Sequence, residues 1–250
     1  MNHSSVPDAG TGSLGLHQEL FDRSAQHYDV FNSILSLGAD RRWRSRAADM
    51  LVLPRRARVL DVGTGTAVSA IAIARRHPDA RVTGIDINSK MLKVAETAVA
   101  RAGLSDRIEL MRVNGEKMPF EDATFDAVLL SFTIEDMANQ GAGVREISRV
   151  LRPEGSVVVL GLGGLPSNSV LQKVSSATLR SLGLVLRVVD PPGYRHVRDD
   201  ILSYSGVSAV RSALEREGFN SYHCVPLSGG IVTLHTARLA GADELEGAHE

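Results

Sequence analysis

A short apolar run, Arg58-Val59-Leu60-Asp61-Val62, breaks at Gly63 and Gly65 and resumes as Val68-Ser69-Ala70-Ile71-Ala72-Ile73-Ala74. The first piece reads as a buried strand and the second as a helix apolar enough to lie against a sheet. Strand, tight glycine loop and helix in that order confine this part of the chain to a nucleotide-binding βαβ unit with parallel strands. Glycine suits the loop because a side chain there would hold the backbone away from a ligand. The next strand, Arg81-Val82-Thr83-Gly84-Ile85, leads to Asp86, about 20 residues beyond the loop, where a carboxylate can accept ribose hydroxyls. The expected ligand is an adenosine-containing cofactor.

The loop also discriminates between cofactors. A dinucleotide site repeats Gly-x-Gly-x-x-Gly so that a pyrophosphate can rest on the helix N-terminus. Here the third glycine position is Val68, and Asp61 puts a carboxylate close to the loop. A carboxylate suits an amine better than a phosphate. S-adenosylmethionine has no phosphate and carries both an amino group and a sulfonium, so the loop favours it over NAD.

Two further segments converge on the same site. Asn114-Gly115-Glu116-Lys117-Met118-Pro119-Phe120 follows a strand-like run at residues 107–112. Asn114 can meet the adenine edge, with Gly115 letting the base approach the backbone; an ordinary Asn-Gly turn is the plainer alternative. Phe125-Asp126-Ala127-Val128-Leu129-Leu130-Ser131 reads as a buried strand ending in a small polar residue. Ligands of open parallel sheets collect at the carboxyl ends of the strands. Asp61, Gly63, Thr64, Gly65 and Thr66, then Asp86 and Ile87, then Asn114, Gly115 and Glu116, then Ser131 all fall at such ends.

On these motifs, with Val150-Leu151-Arg152-Pro153-Glu154-Gly155, the chain resembles class I S-adenosylmethionine-dependent methyltransferases. Within them it resembles the ubiquinone/menaquinone biosynthesis C-methyltransferase family. That narrower likeness rests on Tyr28-Asp29-Val30-Phe31-Asn32, Leu37-Gly38-Ala39-Asp40-Arg41-Arg42-Trp43, Tyr194-Arg195 and Leu227-Ser228-Gly229-Gly230-Ile231-Val232-Thr233-Leu234-His235. The resemblance implies a Rossmann-like α/β fold, a sheet with helices on both faces and a helical cap. It implies that Thr66, Asp86, Asn114, Gly115 and Ser131 line the cofactor site. The family usually has Gly-Gly-Thr-Gly-Asp in the loop, where this chain has Thr64-Gly65-Thr66-Ala67-Val68. After the fourth strand the family's Phe-Gly-Leu-Arg-Asn is replaced by Phe132-Thr133-Ile134-Glu135-Asp136, which sets an acid where an arginine is usual.

Composition narrows the partner class. Lys plus Arg nearly cancels Asp plus Glu, 28 against 29, and aromatics make up 4%. A nucleic-acid binder more often carries a basic face with stacking aromatics, so a small-molecule acceptor is expected and no nucleic acid. Arg41-Arg42-Trp43-Arg44 with Arg46 reads as the solvated face of a helix; contact with a membrane surface or an anionic ligand is the alternative. The single Cys224 excludes an internal disulfide and reads as core packing. No run approaches the roughly 18 apolar residues of a membrane span, and the eight histidines show no metal-ligand spacing. The expectation is a cytoplasmic enzyme that touches a membrane surface transiently if its acceptor is a lipid quinol. The oligomeric state is left open.

The expected path is a polar lead (1–13), a single methyltransferase domain (14–240) and an acidic tail (241–250). Helices are expected at 16–35 and 40–51, then βαβαβ to residue 112, a strand at 127–131, a helix at 143–151 and a strand at 156–160. Residues 166–205 break the alternation and, with the N-terminal helices, are the natural acceptor cap. A helix at 207–217 and strands at 221–225 and 231–237 close the sheet. Direct methyl transfer to an activated carbon needs reactants held in line and a base for the acceptor's hydroxyl. Tyr28, Arg195 and Glu135 are the candidate catalytic residues, with Tyr194 and His196 beside them. Transfer to O, N or another carbon of a different metabolite stays open, as does a non-catalytic cofactor-binding module.

Overall fold

The computed structural model describes residue 36, residues 38–163 and residues 206–241. Seven strands form one sheet: β1 (Arg58–Val62), β2 (Arg81–Asp86), β3 (Ile108–Arg112), β4 (Phe125–Ser131), β5 (Leu151–Leu162), β6 (Phe219–Leu227) and β7 (Val232–Leu239). Their spatial order is β3-β2-β1-β4-β5-β7-β6. The first five run parallel, while β7 enters antiparallel to β5 and pairs with β6 as a hairpin. The order reverses between β1 and β4, the switch point at which an α/β sheet opens a crevice.

The helices are α1 (Asp40–Asp49), α2 (Val68–Arg76), α3 (Ser89–Arg101), α4 (Gln140–Val150) and α5 (Gly206–Arg216). Because the strands are buried on both sides, they read as continuous apolar runs rather than alternating ones. Ala47 and Ala48 of α1, Ala70 and Ile73 of α2, and Ala95 and Val99 of α3 pack with Val59, Val82, Leu129 and Leu160 on one face. Val144 and Ile147 of α4 and Val210 and Leu214 of α5 pack with Leu60, Ile85, Leu130 and Val159 on the other. Helices on both faces are as expected.

Element ends differ from the sequence reading where a cap or a pairing partner decides them. α4 starts before residue 143 because the Asn139 side chain accepts the Ala142 N–H at 3.0 Å, an N-cap that moves the first turn forward. β6 and β7 extend beyond the expected strands because each completes the other's ladder. Among the described residues no helix is long and apolar enough to cross a membrane. The expected helix at 16–35 and the cap segment at 166–205, with Tyr28, Tyr194, Arg195 and His196, lie outside the described residues.

Candidate active site

The loop between β1 and α2 is seated by the protein itself. Thr64 N–H donates to the Ile85 carbonyl at 2.9 Å, and Gly65 N–H donates to Asp86 Oδ2 at 2.8 Å. Thr64 Oγ1 donates to Asp61 Oδ2 at 2.7 Å. Gly63 and Gly65 have φ of 67° and 55°, left-handed values that exclude most side chains. The room beside Gly63 is filled by the Thr133 side chain, so that glycine serves a packing contact as well as the turn. Gly115 likewise gives way to Val62: a Cβ there would come within 2.9 Å of Val62 Cγ1.

Asp86 ends β2 with its other oxygen, Oδ1, accepting the Asn88 N–H at 2.8 Å. Each carboxylate oxygen keeps a further lone pair for a ligand hydroxyl. Burial pushes this carboxyl up, and the N–H groups of Asn88 and Gly65 pull it back. Asp61 has no exposed surface. Burial pushes its carboxyl up to about 6, against the Thr64 hydrogen bond and the Arg44 charge. It therefore lies beneath the loop, outside the cleft wall, and any effect on a ligand passes through Thr64 and its charge.

A cleft of about 210 Å³ opens along the carboxyl ends of β3, β2, β1 and β4. Gly63, Thr64, Gly65, Thr66, Asp86, Ile87, Asn114, Gly115, Glu116 and Ser131, all expected at the cofactor site, line it together. Ile87 is 39% exposed, an apolar side chain left at the surface of the cleft. Asn114 Oδ1 accepts the Glu116 N–H at 2.9 Å, and Glu116 Oε1 accepts the Asn139 N–H at 3.2 Å, which stiffens this wall.

Glu135 is placed differently from its sequence expectation. Its Oε1 accepts the Leu162 N–H at 2.8 Å, tying the 3-10 turn Ile134–Asp136 to the end of β5. Gly161 leaves space for that carboxylate. The cleft wall is formed instead by the neighbouring Asp136, with Phe132, Thr133, Met137 and Ala138. Nor is the basic cluster uniform: Arg41, Arg42 and Arg46 are exposed, but Arg44 is buried and lines the cleft. Helical spacing carried a weak sign of this, since Arg44 shares its face with Ala47 and Ala48. Met91, Val113 and Phe132 also line the cleft, and nothing in their local sequence marks them. Cys224 is half-buried, on edge strand β6, rather than in the core.

Sheet order, the antiparallel seventh strand, and a glycine loop and acidic strand end facing one cleft define a class I S-adenosylmethionine-dependent methyltransferase. The chain belongs to the ubiE/COQ5 methyltransferase family, which its residues 14–238 match. A ubiquinone/menaquinone biosynthesis C-methyltransferase of Syntrophotalea carbinolica is 34% identical, over 87% of this chain and 91% of that one. A demethylmenaquinone methyltransferase of Mycolicibacterium gilvum is 33% identical, over 87% of this chain and 92% of its own. Among solved structures, the [4+2]-cyclase SpnF superposes with a TM-score of 0.68 at 18% identity, covering 96% of this chain and 100% of that one. At that identity the likeness is one of fold, and fold does not fix chemistry.

S-adenosylmethionine is the cofactor of this enzyme, and the cleft fits it. The Asp86 carboxylate would accept ribose hydroxyls, Ile87 and Val113 offer an apolar wall for a purine face, and the acids Glu116 and Asp136 suit a ligand with a sulfonium and an amine.

Proposed function

We propose that this methyltransferase acts on a ring carbon of a small quinol-type acceptor. The observation that carries the reading is the composition of the cleft beyond Ser131. There Phe132 and Met137 offer an apolar, partly aromatic wall beside the single carboxylate of Asp136. A flat ring can lie on the first two while its hydroxyl faces the third. The names of the relatives from Syntrophotalea carbinolica and Mycolicibacterium gilvum support the same acceptor class.

When bound, S-adenosylmethionine supplies an electrophilic methyl group. The chain's part is positional and electrostatic. Asp86 and Asn114 hold the nucleoside end, and the glycine loop with Ser131 brings the other end to the cleft mouth. Asp136 takes the proton of the ring hydroxyl, which makes the ortho carbon nucleophilic, and the carbon that gains the methyl then gives up its own hydrogen as a proton to water, restoring the aromatic ring. Glu135 positions Asp136 by holding the turn against Leu162. Holding both partners in line supplies much of the rate. Tyr28 and Arg195 are proposed as acceptor contacts, with residues 166–205 as the cap. A cytoplasmic enzyme that touches membranes transiently would suit a lipid quinol.

The test is incubation of the full chain with labelled S-adenosylmethionine and a panel of demethylated quinols, followed by mass spectrometry to locate the methyl. Label on a ring carbon is expected. Label on oxygen or nitrogen, or turnover only with non-aromatic acceptors, overturns the proposal.

A further inference from the structure

β7 alternates along its length, with Val232 and Leu234 packed on one face of the sheet and Ala237 and Leu239 on the other. The two-residue period puts Thr233 and His235 on the second face, with the apolar side chains of α4 and α5. Both are buried. A polar pair in an apolar layer is costly unless its hydrogen bonds are made, and here they are. His235 Nδ1 lies 2.6 Å from Tyr222 Oη, and Nε2 lies 2.9 Å from Thr233 Oγ1. Thr233 Oγ1 also lies 3.4 Å from the Leu162 carbonyl, at the end of β5.

The protons give this run a direction. Burial lowers the imidazole to about 4 and pushes the phenol up, so at neutral pH His235 is uncharged and Tyr222 keeps its proton. A neutral imidazole has one N–H and one bare nitrogen. The phenol, with an ordinary pKa of about 10, is the stronger donor of the two hydroxyls. It approaches Nδ1 closely, whereas the Val207 carbonyl, its other acceptor, is 3.4 Å away. Tyr222 therefore donates to Nδ1, Nε2–H donates to Thr233, and the Thr233 hydrogen is left for the Leu162 carbonyl. The N–H of Leu162 donates in turn to Glu135 Oε1 at 2.8 Å. Every donor from Tyr222 onward points the same way, and the run ends on a carboxylate. Such aligned hydrogen bonds polarise and strengthen one another. Gly161 stands opposite Thr233 in the β5–β7 ladder, and the Glu135 carboxylate fills the room its missing side chain leaves.

Asp136 follows Glu135 in the same 3-10 turn and lines the cleft. We propose that His235 is a positioning residue for methyl transfer: through Thr233 and Leu162 it fixes the Glu135 carboxylate, and hence the turn that presents Asp136 to the acceptor. The role rests on the acceptor reading above, in which Asp136 takes the ring hydroxyl's proton. The cofactor walls after β1, β2 and β3 are seated by separate contacts, so the effect falls on the acceptor step and not on cofactor binding.

The test is steady-state methylation by the full chain of the demethylated quinol it uses best, with S-adenosylhomocysteine affinity measured alongside by calorimetry. Thr233→Val keeps the outline of the side chain and removes its hydroxyl. Its kcat should fall roughly five- to fiftyfold, short of the hundredfold that a misplacement of about 1 Å can cost. Affinity for S-adenosylhomocysteine should stay as in native protein, and Thr233→Ser should recover most of the rate. His235→Leu, which cannot bond Thr233, should show the same split. Glu135→Ala severs the run at its far end, so on that background Thr233→Val should cost much less than in the native chain. NMR of the isotope-labelled native imidazole should place the hydrogen on Nε2, a reading that needs neither turnover nor a variant that folds. Hydrogen on Nδ1, an unchanged kcat in Thr233→Val, or kcat and cofactor affinity falling together overturns the proposal, as does full additivity with Glu135→Ala. Native protein that methylates no quinol is a different failure, that of the acceptor reading, and removes the catalytic role even where Nε2 carries the hydrogen.

Discussion

Asp86 does two tasks with one side chain: it accepts two backbone N–H groups and presents its remaining lone pairs to the cleft. Asp86→Ala should weaken S-adenosylmethionine binding by roughly 1.5–3 kcal/mol, since ribose hydroxyls lose an ionised acceptor and the Gly65 N–H loses its partner. Calorimetry giving unchanged affinity would remove Asp86 from the ligand contacts. Gly84, one strand position from the ladder's end, acts indirectly. A Cβ there would lie 2.8 Å from Thr64 Oγ1 and 2.9 Å from Leu110 Cδ2. Gly84→Ala should therefore cost about 1–3 kcal/mol of stability through overpacking. It should also loosen the cofactor loop, read as a lower denaturation midpoint together with weaker S-adenosylhomocysteine binding. Affinity unaffected in a destabilised variant would show that Thr64 is not seated by this contact.

At the scale of elements, α4 reaches the site without touching a ligand. Arg149 donates to the carbonyls of Phe120 and Met118 at 2.7 and 3.0 Å and to Asp122 at 2.7 Å, while pairing with Glu146 at 2.8 Å. Glu146 itself accepts the Met118 N–H at 2.7 Å. The segment that carries Asn114 and Glu116 is thereby pinned to a helix on the sheet's far face. Arg149→Met should reduce cofactor affinity several-fold and stability by about 1–3 kcal/mol, because half-buried carbonyls and Glu146 lose their donor. Native-like affinity in that variant would place the pinning elsewhere. The contrast shows what a sequence can display. Gly63, Gly65, Asp86, Asn114 and Ser131 were readable because loop, strand end and spacing are local signals, and the parallel sheet follows from the same pattern. Arg44 acts through Ser69, 25 residues away, Arg149 through carbonyls 29 and 31 residues away, and Gly84 through Thr64 and Leu110 on other elements, and no local pattern announces such pairings. Glu135 was legible as an acid in an unusual place, but its direction toward Leu162 was not, because β5's end meets the turn only in the folded sheet.

For the molecule as a whole, two buried groups titrate against each other. Burial raises Asp61 from 3.8 to about 6, so its contribution to stability is fully present below pH 3.8 and is lost as pH rises through 6. His235 is 1% exposed, between Tyr222 at 2.6 Å and Thr233 at 2.9 Å. Burial lowers it from 6.5 to about 4, so its contribution is present above 6.5 and is lost as pH falls through 4. Each amounts to about 3 kcal/mol, with opposite sign over nearly the same window. Asp61→Asn should stabilise the protein at pH 7 and make it lose stability between pH 6.5 and 4 more steeply than the parent does. Denaturant midpoints across that range check it, and parallel profiles would mean that Asp61 is ionised at its ordinary value. One further consequence follows from the way the glycine loop is seated. Its backbone is bonded to Ile85 and Asp86, and Thr64 is keyed into the notch at Gly84. The receiving surface is preorganised, so little ordering entropy remains to be lost at this wall when the cofactor arrives. Capture there is governed by how often the two molecules meet rather than by waiting for the protein to take shape.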